Sequence, residues 1–187
     1  MSPSKRNESR RESVRIAFCG LTAALSVALM LSGGLIPVAT YCAPMAAAVL
    51  LLPILLEFGK KTAWTVFAAA AAVTLMLGVD KEAALFYLAI GYYPIVKWDI
   101  DRVHSRGLRI LFKLLVFNLS IGLMYALLCF VLHVDAITAE FGEMGPVMLF
   151  LFALGLNLCL FIYDRLLMPL SILYWNRIRP QLRFLAH

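Results

Sequence analysis

The distribution of cations along the chain restricts its fold more than any other feature. All of the 17 Lys and Arg residues except Lys81 fall in four clusters. In chain order the clusters cover residues 5–15, 60–61, 97–113 and 165–183. The apolar stretches between them are each long enough for an out-and-back helical hairpin. Because loops rich in Lys and Arg stay cytoplasmic, the pattern predicts six membrane spans with both termini inside.

The composition agrees with a membrane protein. Hydrophobic residues make up 63% of the chain and charged residues 15%, whereas a soluble domain is about a quarter charged. We therefore predict an all-α integral membrane protein, a bundle of six transmembrane helices in a cell membrane. The net charge of +6 follows from the positive-inside pattern. We therefore expect the cations to interact with the lipid bilayer, and we expect no nucleic acid as a partner.

The apolar stretches divide the chain into three parts: a polar cytoplasmic tail over 1–13, a membrane domain over 14–175 and a basic cytoplasmic tail over 176–187. Residues 16–56 carry no charge. As one straight helix they would extend about 60 Å, twice the ~30 Å of a hydrocarbon core, so we predict a turn at Gly33, Gly34 and Pro37. The predicted spans cover about 14–34, 41–57, 62–78, 83–97, 108–132 and 146–163.

Several local features qualify this topology. Pro44 and Pro53 would distort or break the second span. The pair Lys60 and Lys61 predicts a tight inner turn. The fourth span is short and could either cross fully or form a re-entrant segment. We expect residues 1–13 to be disordered or to lie on the membrane surface, and the sixth helix to continue inward over 166–175 with a kink near Pro169.

The first span carries a stripe of small residues with a four-residue repeat, which places them on one face of a helix: Gly20, Ala24, Ala28 and Ser32. Small residues allow another membrane helix to approach closely. The stripe is therefore either a docking face for a partner protein or a packing face for another span of the same chain.

A second set of residues is polar or aromatic and lies within or beside the spans: Tyr41, Tyr87, Asn118, Tyr125 and Asn157. The two amides fall near mid-membrane, where an amide needs hydrogen-bond partners. Together the five residues favour an outward-open pocket for an aromatic or heterocyclic small molecule. The competing interpretation is interhelical hydrogen bonding by the amides and an interfacial belt of tyrosines.

The pair Asp164 and Arg165 lies near the inner end of the sixth span. We expect Arg165 to reach lipid phosphates and Asp164 to pair with a basic loop residue. Glu57 and Lys97 are similar charges at span edges. A structural anchoring role is favoured for all of them.

The chain lacks the common catalytic and metal-binding motifs. We find no GxxxxGK[ST], HExxH or GxSxG sequence, and the four cysteines form no CxxC pair. We therefore predict that the protein is not an enzyme and holds no cofactor and no metal.

Residues 15–97 resemble the substrate-binding S components of energy-coupling factor (ECF) transporters. RIAFCGLTAALSVALML is similar to the first span of that family, whose AxxxA motif corresponds to Ala24 and Ala28, and LIPVATYCAPMAAAVLLLPI is similar to the following loop and second span. Residues 98–187 match in topology more than in motif. The resemblance implies capture of a vitamin or related micronutrient from outside, and docking through the first-span alanines on a membrane coupling subunit driven by two cytoplasmic ATPases. It also places the binding site in the outer half, which favours the five polar and aromatic residues as ligand contacts.

The alternative is a non-transporting membrane scaffold, such as an MreD-like cell-shape protein, which is also a small six-span chain. The glycine-rich third span with a following Asp that is expected of such a protein is not evident in the sequence. Neighbouring genes would separate the two hypotheses: a coupling-subunit gene favours transport, and cell-wall genes favour a scaffold.

Overall fold

The structure is a computed structural model that describes residues 3–33, 39–77, 81–130 and 146–181. The described residues are helical apart from short connections and include no strand, which confirms the all-α prediction. The helices are α1 (Pro3–Gly33), α2 (Ala39–Val49), α3 (Leu51–Leu77), α4 (Lys81–Ile90), α5 (Tyr93–Asp101), α6 (Arg106–Phe130) and α7 (Pro146–Leu173), followed by a π-helical turn (Tyr174–Ile178) and a 3₁₀ turn (Arg179–Gln181).

Three of these helices contain segments long and apolar enough to cross a membrane: Ser9–Gly33, Arg106–Ala126 and Ala153–Ile178. A fourth candidate is the pair Thr40–Val49 and Leu51–Leu77, which is bent by 54°. These properties are those of a membrane protein. Helix α1 begins at Pro3, so residues 3–13 are helical and continuous with the first predicted span.

The bend between α2 and α3 follows from a proline. Pro53 has no N–H to donate to the carbonyl of Val49, and its ring would clash with that carbonyl in a continuous helix. The helix accordingly ends at Val49 and restarts at Leu51. The predicted distortion of this region is confirmed. Pro44, by contrast, lies inside α2 without dividing it.

Gly59 reverses the chain inside α3. Its φ of 81° and ψ of 177° are not helical, and glycine alone adopts positive φ without a steric penalty. This residue directly precedes Lys60 and Lys61 and lies between the predicted second and third spans, which end at about 57 and begin at about 62, so the turn predicted there is confirmed. The turn predicted after Gly33 includes residues 34–38, which lie outside the described residues.

Contacts along α1 fix the direction of its neighbours. The hydroxyl of Ser26 donates to the carbonyl of Ala47 at 3.3 Å, and the rings of Phe18 and Phe58 lie 5.9 Å apart. Since later residues of one segment meet earlier residues of the other, α1 is antiparallel to α2 and to the start of α3. The later part of α3 returns alongside α1, because Thr74 contacts Met30.

Helices α4 and α5 form an interrupted segment at the centre of the bundle. Pro94 cannot donate to the carbonyl of Ile90, which ends α4. At the break, a Cβ on Gly91 would lie 2.5 Å from the carbonyl oxygen of Tyr87 and 2.9 Å from its ring, so only glycine fits there. Helix α4 contacts α1, α2, α3 and α6, and most of its side chains are buried. A segment enclosed by protein tolerates a break at membrane depth.

Helices α6 and α7 leave much of their surface exposed. Among the described side chains, the buried positions of α7 form one helical stripe that continues to Tyr174 in the π-helical turn: Leu160, Tyr163, Asp164, Leu167 and Ser171. The helix passes through Pro169 and ends at Leu173, so the predicted inward continuation is part of the same helix. The outer loop predicted at 133–145 lies outside the described residues.

Candidate functional site

The basic clusters meet at one end of the bundle. Lys60 forms an ion pair with Asp99, and the guanidinium of Arg179 lies 2.8 Å from the carboxylate of Glu57. Residues of the first and second clusters line a common groove between α1 and α3. Cations that are distant in sequence are therefore neighbours in space, as a one-sided distribution requires.

Four buried or half-buried charges form a closed ring at this end. Lys97 lies 2.7 Å from Asp101 and 2.6 Å from Asp164, and Lys113 lies 2.7 Å from each of the same two carboxylates. Each ammonium thus meets two carboxylates and each carboxylate meets two ammoniums. The ring carries no net charge, which reduces the large penalty for removing ions from water. It joins α5, α6 and α7.

A tyrosine also hydrogen-bonds to the charge ring. The hydroxyl of Tyr93 donates to Oδ1 of Asp164 at 2.5 Å, and the aromatic ring of Tyr93 packs on Phe117 at 4.6 Å between centroids.

Asp101 lies beyond the end of the predicted fourth span. Burial alone would raise the pKa of its carboxyl, but hydrogen bonds from Lys113 and Lys97 outweigh burial and hold that pKa below its ordinary value.

The charge ring includes residues that the sequence indicated only in part. Asp164 pairs with basic residues as predicted, but its partners Lys97 and Lys113 lie on α5 and α6 and not in a loop. Two signals in the sequence could have identified them. Lys97 and Asp101 are four residues apart on one helix, and Lys113 stands alone in an apolar stretch, where a charge needs a partner.

A different cluster lies at the opposite end of the bundle. The hydroxyl of Tyr41, at the start of α2, donates to the carboxylate of Glu82, at the start of α4. Tyr125 near the end of α6 also hydrogen-bonds Tyr41, and the edge of Phe86 packs on its ring at 5.2 Å. Tyr41 is 37% exposed. Two of the predicted ligand contacts are thus brought together beside an accessible carboxylate.

Tyr87 lies deeper in the bundle. Its side chain is fully buried and its ring packs on Phe67 at 5.4 Å. Its hydroxyl has no hydrogen-bond partner among the described residues. A buried hydroxyl without a partner costs about 1–3 kcal/mol, so this group can gain from a polar atom brought to it.

Asn118 and Asn157 bind each other across α6 and α7. Each amide nitrogen donates to the other side-chain oxygen, at 3.0 and 3.2 Å. Each also donates to the carbonyl four residues earlier, on Leu114 and Ala153. All four N–H groups of the pair are therefore satisfied within the protein. This is the interhelical arrangement that the sequence left open beside the pocket.

The small-residue stripe of α1 is exposed on the surface of the described residues. Gly20, Ala24, Ala28 and Ser32 are all exposed, whereas the buried positions of this helix include Ser26 and Met30. A Cβ added at Gly20 would meet no atom within 4 Å. Gly20, at the start of the stripe, also borders an open groove between α1 and α3.

Among the described residues, no group of three or more His, Cys, Asp or Glu side chains is placed to hold a metal ion. Comparison of the chain with protein-family models, curated proteins and solved structures gives no match.

Proposed function

We propose that the chain is the membrane substrate-capture (S) subunit of an ECF-type uptake transporter for a vitamin or related micronutrient. The observation that carries this proposal is the contact of Tyr41 with Glu82 and Tyr125 at the end opposite the basic clusters. A hydrogen-bonding cluster with aromatic walls is suited to a small heterocyclic molecule.

The proposal requires six spans with both termini in the cytoplasm. Antiparallel neighbours support this topology, since Tyr41 meets Glu82 at one end while Lys60 meets Asp99 at the other. In the interrupted α4–α5 segment, the hydroxyl of Tyr92 lies 2.6 Å from that of Ser120 on α6. This contact lies between the Tyr41–Glu82 contact at one end and the Lys60–Asp99 contact at the other. The basic end would face the cytoplasm of a prokaryotic cell, and the cluster around Tyr41 would face outward.

The ligand would enter at the Tyr41 cluster, which is the accessible part of the site. Below this cluster, Tyr87 offers a hydroxyl that has no hydrogen-bond partner within the described part of the chain. Asn118 and Asn157 would contribute to the site mainly by holding α6 and α7 together, since their donors are already used. In this assignment the tyrosines contact the ligand and the amides fix the helices that carry them.

Transport would also require partner proteins. The exposed stripe of α1 offers a membrane coupling subunit a surface that permits close helix packing, and cytoplasmic ATPases would supply the energy. The chain itself would bind and carry, without catalysing a reaction and without a cofactor.

Native mass spectrometry of the protein purified in mild detergent tests this function. We expect a single additional mass of a few hundred daltons that is reduced when Tyr41 and Tyr125 are both replaced by phenylalanine. Repeated purification without any bound small molecule, together with recovery of cell-wall synthesis proteins, would contradict the proposal and favour the scaffold.

A further inference from the structure

An open groove runs between α1 and the later part of α3, at the basic end of the bundle. Its volume is about 420 Å³. It shares no residue with the Tyr41 cluster. The groove does not depend on the transport proposal, since it requires only that the chain lie in a membrane.

Two cations stand at the same end of the groove. Arg15 is the first residue of α1 that lines it, and Lys61 is the first that lines it from α3. The two helices are parallel here, so both charges lie at one mouth. Both side chains are exposed. Neither has an ion-pair partner among the described residues.

Beyond the cations the groove is mainly apolar. The hydroxyls of Thr62 and Thr65, which also line it, donate to carbonyls one turn earlier on α3. Its walls include Gly20 and Ala23 from α1 and Val66 and Ala69 from α3. No atom lies within 4 Å of the position that a Cβ on Gly20 would occupy, so the wall is open at this point. From Lys61 to Ala69 the helix rises about 12 Å, which gives the apolar part the length of a substantial portion of an acyl chain.

We propose that this groove binds an anionic phospholipid. The phosphate lies between the guanidinium of Arg15 and the ammonium of Lys61, and one acyl chain follows the groove past Gly20 and Ala69. A cationic mouth above an apolar channel matches the two parts of such a lipid. Basic pockets between membrane helices on the cytoplasmic side bind acidic headgroups in this way. A zwitterionic lipid would bring its own cation to the same mouth and bind less well.

The test is lipid retention in native mass spectrometry, with the full chain released from nanodiscs of phosphatidylglycerol and phosphatidylcholine in equal amounts. We expect the wild-type protein to retain phosphatidylglycerol selectively. Replacing both cations, as Arg15→Gln with Lys61→Gln, should weaken retention roughly 30-fold, since each cation near a membrane surface contributes about 1 kcal/mol.

A matched control removes two cations at the same end but outside the groove, as Arg106→Gln with Arg109→Gln, and should leave retention unchanged. Ala69→Phe fills the apolar channel without altering charge and should also lower retention. Equal retention of the two lipids by wild-type protein, or equal loss in both double variants, would overturn the proposal.

Discussion

The ammonium of Lys113 on α6 lies 2.7 Å from a carboxylate oxygen of Asp164 on α7, although both side chains are almost completely buried. Lys97 and Asp101 complete a neutral ring around this pair. A balanced set of buried charges is stable only while each charge keeps its partners. The ring thus holds α5, α6 and α7 together.

Removing one charge from the ring should be strongly destabilising. Asp164→Asn leaves one buried ammonium uncompensated, and we expect the free energy of unfolding to fall by about 3–5 kcal/mol. Adding Lys113→Met to this variant restores neutrality and should recover part of the loss. Denaturant titration of the detergent-solubilised protein measures both values.

The exposed pair Lys60–Asp99 provides the control for this experiment. Its side chains are 41% and 52% exposed, so Asp99→Asn should change stability by less than about 1 kcal/mol. Equal effects of Asp99→Asn and Asp164→Asn would show that burial of the ring does not determine its contribution.

The ring should also make stability depend on pH. The pKa of Asp101 is below its ordinary value, so its stabilising contribution is fully present above the ordinary pKa of about 3.9. This contribution is lost as the pH falls through the lower pKa of the folded state. We expect the melting temperature to be nearly constant from pH 7 to 5 and to drop below about pH 4. In Asp101→Asn, the melting temperature should be lower than that of the wild-type protein at pH 7. It should also fall less steeply as the pH is lowered through the acidic range.

The amide pair should couple α6 to α7. Single replacements Asn118→Leu and Asn157→Leu each leave one amide without its reciprocal partner, and the double replacement leaves none. A double-mutant cycle should give a coupling free energy of roughly 0.6 kcal/mol, with about 1.7 kcal/mol as the upper limit for membrane helices. Zero coupling, combined with loss of ligand affinity in each single variant, would instead place the amides in direct contact with the ligand.

The α1 stripe can be tested separately from the ligand site. Ala24→Leu with Ala28→Leu should lower co-purification with a coupling subunit about tenfold or more, because bulky side chains prevent close helix contact, while ligand binding is retained. A matched control is Ala68→Leu with Ala72→Leu, which has the same spacing and also lies on an exposed surface. Undiminished co-purification of the α1 variant would contradict the docking assignment.

The helical class and the break near Pro53 were predictable because they follow from local rules: apolar length and the missing N–H of proline. The reversal at Gly59 lies within the turn predicted between the second and third spans, because the two lysines beside it mark the end of an apolar stretch. Pairing of Asp164 was predicted, but the four-charge ring to which it belongs was not. The four charges lie on three helices and meet only after those helices have packed together. The contact of Tyr41 with Glu82 joins residues 41 positions apart, and no local pattern encodes it.

The most direct test of the central claim is ligand-induced thermal stabilisation of the purified protein across a panel of vitamins and related micronutrients. We predict that one compound raises the melting temperature, by an amount that grows with its concentration because it binds only the folded state. The shift should be lost in Tyr41→Phe with Tyr125→Phe. The absence of a shift with every compound, or a shift that is unchanged in this double variant, would contradict the account.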